Sequence, residues 1–492
     1  MEKQIIKLLN SYGFDAWICG GTARDIYMKR PILNYDIAVC GTLAELQEVL
    51  KSKIINVNEY STSLTIKFKD KEFILYPLKK IELINTYYNF TFTKSLKEDA
   101  ASRDLTINSL YYNPLTKEWF DYYNSKKDIN KKILRFVGDP TTRILESKIR
   151  ILRLIVTAAI LGEEWKIDDQ TAKAIYENRL RLVPVNSRQI STEITKLFKY
   201  SAKPSIAFKL MRRFYILEDF FPELQQCISV EQSNKSPGLD LYNHIMYCLD
   251  AVQPHKANSF LLRFAALLHD IGKPYTKITT DTGLHFYNHE NIGAYIAERI
   301  LFRWGFSRNF INKVTLLIVN HLFDATPYKS NASIRKLIYK VGSNNIHDLL
   351  DLRVIDRLGT GRKDISLANI EKLRNKINAA LLILDPKHFK LQMLDEEIRT
   401  IISNTTAIAD QTVPTIKQYL EQKILAGRLQ NKTTNLKQAI LKINKINCPL
   451  DKEHLFKTWT ALQNGSADLF PNGNLKCGVF CNFICNKHLL KE

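Results

Sequence analysis

CGGTARD, residues 19–25, is the stretch that decides the fold of the first part of the chain. It follows a short apolar run at residues 16–19, which is typical of a strand, and it opens a segment with helical spacing. Two adjacent glycines at a strand-to-helix turn let backbone amides approach a phosphate group, and the helix N-terminus favours negative charge there. The stretch therefore predicts a phosphate-binding turn in a mixed α/β sheet.

Further strands are predicted on both sides of that turn. Residues 35–40, 63–68 and 73–78 each form a short run with strand character. Strand signals nearly vanish after the first 140 residues, where helical periodicity dominates, and the polar stretch 230–238 is typical of a linker. The expected fold class is α+β. The expected domains are an α/β head at 1–140, a helical neck at 141–229, a helical domain at 239–363 and a helical, Lys-rich tail at 364–492.

Composition points to a polyanionic partner. The 492 residues include 71 Lys and Arg against 50 Asp and Glu, a net charge of +21. Such a balance favours nucleic acid or nucleotides as partners, although a general Lys-rich bias would give the same number. No signal-like segment opens the chain, and the longest nearly apolar stretch, residues 154–161, is too short to span a membrane. We expect a soluble cytoplasmic protein with reduced thiols and no membrane partner.

Three further segments of the first 160 residues carry charged residues in a defined order. RPILNYDIA, residues 30–38, places Asn34 and Asp36 two apart, so that both side chains face one side of a strand. SRDLTINSL follows at residues 102–110 and ESKIRILR at residues 146–153. Paired carboxylates on one strand face are what a hard cation such as Mg²⁺ requires for phosphoryl transfer.

In order and spacing, these four segments resemble the class II tRNA nucleotidyltransferase and bacterial poly(A) polymerase family. The family pattern is a Gly-Gly-x-x-Arg-Asp turn, an Asp-x-Asp strand, an Arg-Arg-Asp-x-x-x-Asn segment and a Glu-Asp-x-x-Arg helix. The resemblance implies a polymerase-β-like nucleotidyltransferase head, Mg²⁺ held at Asp36 and Asn34, ATP or CTP as nucleotides, and the tRNA 3′ end as partner. It implies nucleotide binding by Gly20, Gly21, Arg24, Asp25, Arg103, Asp104, Asn108, Arg150 and Arg153.

The same resemblance shows departures at the transferase centre. The first Asp of the Asp-x-Asp pair falls on Asn34, and the third carboxylate, in the family's Phe-Glu-x-x-x-x-Arg strand, falls on Ile74. Glu72 shares a face with Ile74 but lies one pleat repeat away, roughly 6.5–7 Å. Arg150 matches the base-selecting Arg of the family, whereas its partner Asp falls on Ser147. We therefore expect impaired nucleotide transfer.

A second set of residues predicts a metal centre. ALLHDIGKP, residues 266–274, contains an adjacent His269 and Asp270, and the whole series resembles the HD phosphohydrolase superfamily in its order. The resemblance implies metal ligation by His244, His269, Asp270, His289, His321 and Asp356. Imidazoles suit Mn, Fe, Co, Ni or Zn ions, and the carboxylates also accept Mg. Asp270 is expected to bridge metals or orient the attacking water, Lys273 to neutralise the phosphate, and His285 to be an outer phosphate contact.

The tail carries two weaker signals. Residues 422–447 have many Lys and Arg with helical apolar spacing, which fits either a basic helix pair facing RNA or a solvated surface. Cys477, Cys481, Cys485 and His488 fall on one helix face, and buried small residues explain that spacing better than a zinc site.

Three hypotheses follow from the sequence. The first is an RNA 3′-end (tRNA) processing protein whose HD domain hydrolyses cyclic or terminal phosphates of RNA ends or nucleotides, with an impaired head. The second is an active CCA-adding or poly(A)-adding nucleotidyltransferase. The third is a non-catalytic RNA-binding protein.

Overall fold

The structure is a computed structural model. It describes residues 1–32, 34–58, 62–84, 87–182, 185–232, 239–254, 256–325, 330–362, 365–383, 393, 395–403, 412–425, 429 and 432–444. The chain divides into two compact units, Met1–Val319 with Ile355–Lys363 and Asn320–Val354 with Asp364–Glu492.

The described residues form strands and helices in a mixed order. The strands are β1 Ala16–Cys19, β2 Tyr35–Val39, β3 Ile54–Asn58, β4 Ser63–Phe68, β5 Lys71–Pro77, β6 Lys79–Ile84, β7 Tyr87–Phe92, β8 Leu110–Asn113, β9 Glu118–Asp121, β10 Ile133–Leu134, β11 Lys166–Ile167, β12 Lys277–Thr280 and β13 Gly283–Phe286. The first twelve helices are α1 Glu2–Ser11, α2 Gly20–Tyr27, α3 Leu43–Leu50, α4 Leu96–Ser102, α5 Ser125–Lys131, α6 Pro140–Glu146, α7 Arg150–Leu161, α8 Asp169–Glu177, α9 Ser187–Tyr200, α10 Ser205–Arg213, α11 Leu217–Phe220 and α12 Pro222–Gln225. The remainder are α13 Leu241–Ala251, α14 Ser259–Leu268, α15 Lys273–Thr276, α16 His289–Arg303, α17 Arg308–Asn320, α18 Asn331–Val341, α19 Ile346–Leu358, α20 Ala368–Ile383, α21 Asp395–Ser403, α22 Thr412–Leu425 and α23 Thr433–Asn444.

A seven-stranded sheet organises the head. Its strand order is β3-β4-β5-β2-β1-β8-β9, and β2 pairs with β5 in parallel while the other neighbours are antiparallel. The alternation of β2 puts Ile37 and Val39 into a core shared with α1 and α3, whereas Ala38 packs with Cys19 and Tyr111 on the opposite face. Asp36 shares the face of Ala38, so the sheet pleat directs its carboxylate away from the α1 core and toward α2.

One continuous core joins the rest of the first unit. It begins at Ile18 and Ala23 of the head, runs through α7, α9 and α10, and reaches α13, α14 and α17. Trp304, at the end of α16, is almost fully buried, and its ring stacks on Phe220 with centroids 5.9 Å apart. The neck therefore packs against both the head and the helices that carry the His-Asp pair.

The second unit is helical over its described residues. Its apolar cluster draws on α21, α22 and α23, with Met393, Ile398, Ile416, Leu420 and Leu436 buried. Among the described residues, no helix is both long and apolar enough to cross a membrane.

The α+β class and the helical body after the head are confirmed, and β4 has the bounds predicted from the sequence. The expectation that strands nearly vanish after the head is wrong in two places, since β11 lies in the neck and a hairpin lies in the HD domain. Thr-rich β12 and β13 pair as a hairpin whose turn is closed by Gly283 at φ +118°, a conformation that residues with a Cβ rarely adopt. The four predicted positions from Cys477 to His488 lie outside the described residues, as do most positions between α22 and α23.

Candidate functional site

Four separate elements of the first unit bring the His and Asp residues of the HD series together. His244 lies in α13, whose first turn is capped by the Asp240 carboxylate accepting from the Asn243 amide at 2.8 Å. His269 and Asp270 directly follow α14, His289 begins α16, and Asp356 lies in α19. The glycine at 272 permits this approach, because a Cβ there would lie 2.3 Å from the His289 carbonyl oxygen.

The side-chain donors converge on a small volume. His244 Nε2 lies 3.3 Å from His269 Nε2, 3.4 Å from Asp270 Oδ2 and 3.3 Å from Asp356 Oδ1. The other oxygen of Asp270, Oδ1, lies 3.3 Å from His289 Nε2. Asp270 therefore faces the His244 and His269 pair with one oxygen and His289 with the other, which is the geometry of a bridging carboxylate. Two nitrogens bound to one ion at about 2.0–2.1 Å in a tetrahedral arrangement would be separated by roughly 3.4 Å, close to the distances found.

All three imidazoles are oriented by backbone carbonyls. The Nδ1 atoms of His244, His269 and His289 lie 3.1, 2.9 and 2.7 Å from the carbonyl oxygens of Gly359, Ala266 and Phe286. A carbonyl oxygen only accepts, so Nδ1 carries a proton in each ring and Nε2 is the nitrogen that faces the centre. A ligand histidine is held in this way when its outer nitrogen fixes the tautomer.

The charges of the centre fit a divalent cation. Burial alone would lower the pKa of His269, but the Asp270 and Asp356 carboxylates outweigh it and raise that pKa to about 10. Burial likewise opposes ionisation of Asp270, yet His269 and Lys273 hold its pKa well below the usual range. Lys273 Nζ lies 2.6 Å from Asp270 Oδ2. The buried Asp270 and the partly buried Asp356 thus favour positive charge on their neighbours, and a metal ion can supply that charge in place of the imidazole protons.

One group at this centre was missed by the sequence reasoning. Cys248 lies one helical turn after His244, and its Sγ forms a group with the donor atoms of His244, His269 and Asp356, all within 4.8 Å of one another. The spacing i, i+4 places two residues on one face of a helix, so the His-x-x-x-Cys pattern in α13 could have indicated it. His321 directly follows α17, is buried and belongs to the second unit, and its role as a ligand remains a prediction.

In the head, the glycine turn lies against Asp36, the residue that matches an Asp of the family's Asp-x-Asp strand. Gly20 has φ +63°, and a Cβ there would lie 3.3 Å from Arg103 Nη1 and 3.5 Å from Asp36 Oδ2. The Thr22 hydroxyl donates to the Asn34 carbonyl oxygen at 2.7 Å and accepts from the Asp36 amide at 2.8 Å. These bonds hold the start of β2 against the first turn of α2, which has no side-chain cap.

The other predicted nucleotide-binding residues form internal pairs. Arg24 Nε donates to Asp25 at 2.9 Å and Arg24 Nη1 to Asn108 at 2.8 Å, while Arg103 binds Asp99 through two nitrogens at 3.1 and 2.9 Å. Asp104 accepts from Arg150 Nε at 2.8 Å and from Arg153 Nη1 at 3.0 Å.

Arg150 and Arg153 differ in accessibility. The Arg150 side chain is 2% exposed and also donates to Glu146 and to the carbonyl oxygens of Arg143 and Ser102, whereas that of Arg153 is 38% exposed. Arg153 is thus the better placed of the two to contact a ligand. The sequence reasoning also passed over Ser102, which stands where the family pattern has the first Arg of Arg-Arg-Asp, and which is buried.

The donors around Asp36 do not fit a pair of magnesium ions. The β2 and β5 register places Ile74 directly opposite Asp36, while Glu72 is exposed and pairs with Lys67 on the other neighbouring strand. Asn34 is exposed, and its Oδ1 lies 3.5 Å from the Tyr200 hydroxyl. Burial raises the pKa of Asp36, although Lys196, Arg103 and Arg24 oppose that rise. The nearby Asp25 carboxylate already pairs with Arg24, so Asp36 among these cations offers too little negative charge for two dications.

A sheet-based head with a glycine turn, a helical neck and a centre of converging His and Asp residues follow one another along the chain. Residues 16–135 match the family model of the poly A polymerase head domain, residues 165–228 that of the probable RNA and SrmB-binding site of polymerase A, and residues 239–361 that of the HD domain. The three matches fall on the head, the neck and the domain that carries the His-Asp pair, in that order along the chain.

Known relatives carry the name CCA-adding enzyme. That of Pediococcus pentosaceus is 31% identical over 209 residues, 41% of this chain and 51% of the relative, and that of Bacillus subtilis is 28% identical over 236 residues, 46% and 58%. The chain thus spans about half the length of the curated relatives it matches. The crystal structure of the Bacillus stearothermophilus CCA-adding enzyme in complex with CTP superposes with a TM-score of 0.58 at 17% identity, covering 90% of this chain and 96% of that one, which shows a shared fold.

Proposed function

We propose that the protein processes RNA 3′ ends by hydrolysing phosphate esters at the HD centre, and that its head binds nucleotide or RNA with impaired transfer. The observation that supports hydrolysis is the convergence of three carbonyl-anchored imidazoles and two carboxylates on one buried point. The relatives are named CCA-adding enzymes, which makes the tRNA 3′ end the RNA we propose. The proposed site of action is the cytoplasm.

The residues of the centre have separable roles. His244, His269, Asp270 and Asp356 would hold a divalent ion, which would supply Lewis acidity and lower the pKa of a bound water. Asp270 places one oxygen beside His244 and His269 and the other beside His289, which fixes the positions of these rings. The same carboxylate orients the attacking water. Lys273, whose side chain is 15% exposed, lies beside Asp270 and can bind a non-bridging oxygen of the phosphate as charge develops.

The β12–β13 hairpin offers a surface for the RNA end. It follows α15, the helix that begins at Lys273, and the exposed ring of Tyr287 stacks on His285 with centroids 5.3 Å apart and planes inclined by 8°. Unpaired bases stack readily on such rings. A net charge of +21 favours the phosphate backbone as well.

The test is hydrolysis of a short RNA that ends in a 2′,3′-cyclic phosphate or a 3′-phosphate, by the full chain supplied in turn with Mn²⁺, Co²⁺, Ni²⁺, Zn²⁺ or Mg²⁺. His269→Ala should lower the rate by 100-fold or more, because it removes a ligand that touches both carboxylates. His347→Ala, a histidine outside the centre, should leave the rate unchanged. Equal hydrolysis by the wild type and His269→Ala would refute the proposal. Absence of any hydrolysis and any bound metal would leave RNA binding alone as the function.

A second candidate function is nucleotide transfer by the head, which the closeness of Gly20, Arg103 and Asp36 favours. The test is incubation with Mg²⁺, ATP, CTP and end-labelled tRNA lacking its terminal CCA. We expect no extension by the wild type, and partial extension by the double variant Asn34→Asp, Ile74→Glu, which returns two carboxylates beside Asp36. A three-nucleotide shift or a ladder with the wild type would show that the head is active as it stands.

A further inference from the structure

One face of the neck helix α9 runs along the head near the start of β2. Lys196 Nζ donates to Glu193 at 2.9 Å, and the same Glu193 oxygen lies 3.5 Å from Arg153 Nε. One turn after Lys196, the Tyr200 hydroxyl lies 3.5 Å from Asn34 Oδ1. Residues three and four apart share a helix face, so Lys196 faces the head between these two contacts. The neck therefore places a cation at the start of β2.

A second cation is held at the glycine turn by a buried carboxylate. Asp99 is 1% exposed, and its Oδ2 accepts from Nε and Nη2 of Arg103 at 3.1 and 2.9 Å. The Tyr111 hydroxyl donates to the same oxygen at 2.5 Å, and its ring centroid lies 5.3 Å from the guanidinium carbon. These contacts leave Nη1 of Arg103 at the turn, where a Cβ on Gly20 would lie 3.3 Å from it and 3.5 Å from Asp36 Oδ2. The guanidinium thus has a fixed position near Asp36.

Positive charge surrounds Asp36 where a magnesium site would need further carboxylates. Ile74, opposite Asp36 on β5, has no oxygen to offer. Burial raises the pKa of Asp36, and among the charges that oppose this rise Lys196 acts most strongly, followed by Arg103 and Arg24. Phosphate oxygens are neutralised in proteins either by metal ions or by arginine and lysine side chains. The residues around Asp36 fit the second arrangement.

We propose that the head binds the phosphate chain of a nucleoside triphosphate without a divalent ion, and that Arg103 and Lys196 supply the positive charge. This inference rests on nucleotide binding by the head in the proposed function, and it adds the form of the ligand, which is the free nucleotide rather than its magnesium complex. Asp36 then acts in the opposite sense to a metal ligand. Its carboxylate repels the bound phosphates instead of holding them through an ion, so its neutralisation strengthens binding.

The test is equilibrium binding of ATP to the full chain in EDTA and in Mg²⁺. Every sample carries Asp270→Asn, so that a metal ion at the HD centre does not contribute. We expect an affinity in EDTA at least equal to that in Mg²⁺, because free ATP carries more negative charge than its magnesium complex. Lys196→Met should weaken binding by about threefold or more. Lys199→Met, which removes an exposed lysine from the same helix, should leave binding unchanged.

Two further variants test the charges at the glycine turn. Asp36→Asn should strengthen ATP binding by about threefold or more, whereas a metal-dependent site would lose affinity through the same change. Asp70→Asn, which removes an exposed carboxylate from the turn between β4 and β5, should have no effect. Arg103→Gln should weaken binding by about tenfold or more. If Arg103→Gln fails to fold, Lys196→Met and Asp36→Asn still decide the matter.

The outcomes separate this inference from the proposed function. Binding that is tighter in Mg²⁺ than in EDTA, or that is weakened by Asp36→Asn, overturns metal-free binding and leaves nucleotide binding by the head standing. Equal affinity of Lys196→Met and its parent overturns the role of Lys196. Failure of ATP to bind in either solution overturns nucleotide binding by the head and this inference with it, while hydrolysis at the HD centre is tested separately.

Discussion

Gly359→Ala should damage the HD centre through one steric contact. The added Cβ would lie 2.1 Å from Cys248 Sγ, whereas unbonded heavy atoms of this size approach to about 3.5 Å, so the two segments must separate by roughly 1.4 Å. Overpacking of a core by one carbon costs about 1–3 kcal/mol. The same displacement moves the Gly359 carbonyl from His244 Nδ1 and draws Asp356 away from the other donors. If that free energy appears in metal binding, affinity falls by roughly 5- to 150-fold.

A double-mutant cycle with Cys248→Ala isolates this contact. Without Sγ, the closest atoms to the new Cβ are the Cys248 amide nitrogen and His244 Cε1, both at 3.2 Å, which small shifts accommodate. We therefore expect Gly359→Ala to lower the free energy of unfolding by at least about 1 kcal/mol more in the wild type than in the Cys248→Ala background. The thermal midpoint of the metal-free protein measures this difference. Wild-type stability and metal affinity in Gly359→Ala, or a coupling of zero, would refute the placement of the sulfur against Gly359.

Three further predictions concern single charges. Asp270→Asn should abolish tight metal binding and lower RNA-end hydrolysis at least 100-fold, measured by metal titration and single-turnover assays, because it removes the negative charge that faces three imidazoles; retained affinity would contradict its bridging role. Arg150→Met should cost about 3–5 kcal/mol, because it removes a buried cation that pairs with both Asp104 and Glu146 and donates to two carbonyl oxygens. Arg153→Met should weaken RNA binding with a much smaller loss of stability. Comparison of melting and filter-binding curves distinguishes the two variants, and equal stabilities would show that Arg150 is not an internal support. Burial opposes ionisation of Asp104, but Arg153 and Arg150 hold its pKa below the usual value. The contribution of the Asp104 carboxylate to stability is therefore present above about pH 4 and is lost as the pH falls toward the folded pKa. The difference in melting temperature between wild type and Asp104→Asn should shrink on acidification, and a constant difference would contradict this pairing.

Local patterns predicted the positions that depend on neighbouring residues. The turn at Gly20 and the strand β4 follow from residues adjacent in sequence. The family resemblance placed the third carboxylate at Ile74, and the structure adds that Ile74 pairs with Asp36. The HD series could be recognised from its order because each ligand type is rare enough to be informative.

Contacts between distant segments could not be predicted in the same way. Gly359 accepts from His244 across 115 residues, and nothing near either residue announces the pairing. The place of the Cys248 sulfur depends on the same segment, because a Cβ at position 359 would lie 2.1 Å from it. The Arg150 guanidinium donates to Asp104, Glu146 and two carbonyl oxygens, and these hydrogen bonds likewise form only when α4, α6 and α7 meet. A motif match identifies the residue type, whereas the fold decides whether the side chain faces a ligand or the interior.

That distinction separates the two halves of the chain. In the head, the residues that match the family pattern pair with opposite charges inside the protein: Arg24 with Asp25, Arg103 with Asp99, and Asp104 with Arg150. Removing one member of a buried pair costs several kcal/mol, so folding alone accounts for their presence. The departures fall instead on Asn34 and Ile74, which make no such pair among the described residues.

The HD centre requires a different explanation. Asp270 and Asp356 are like charges that both lie within 3.4 Å of the same imidazole nitrogen of His244, and the three rings direct Nε2 inward while their outer nitrogens are held by carbonyls. Stability alone gains little from bringing two buried carboxylates together, because their mutual repulsion must be offset by protons or by an added cation. A bound divalent ion accounts for the convergence of all these groups at once. Folding therefore explains the pairings in the head, whereas the grouping in the HD domain supports the metal-dependent centre that we propose.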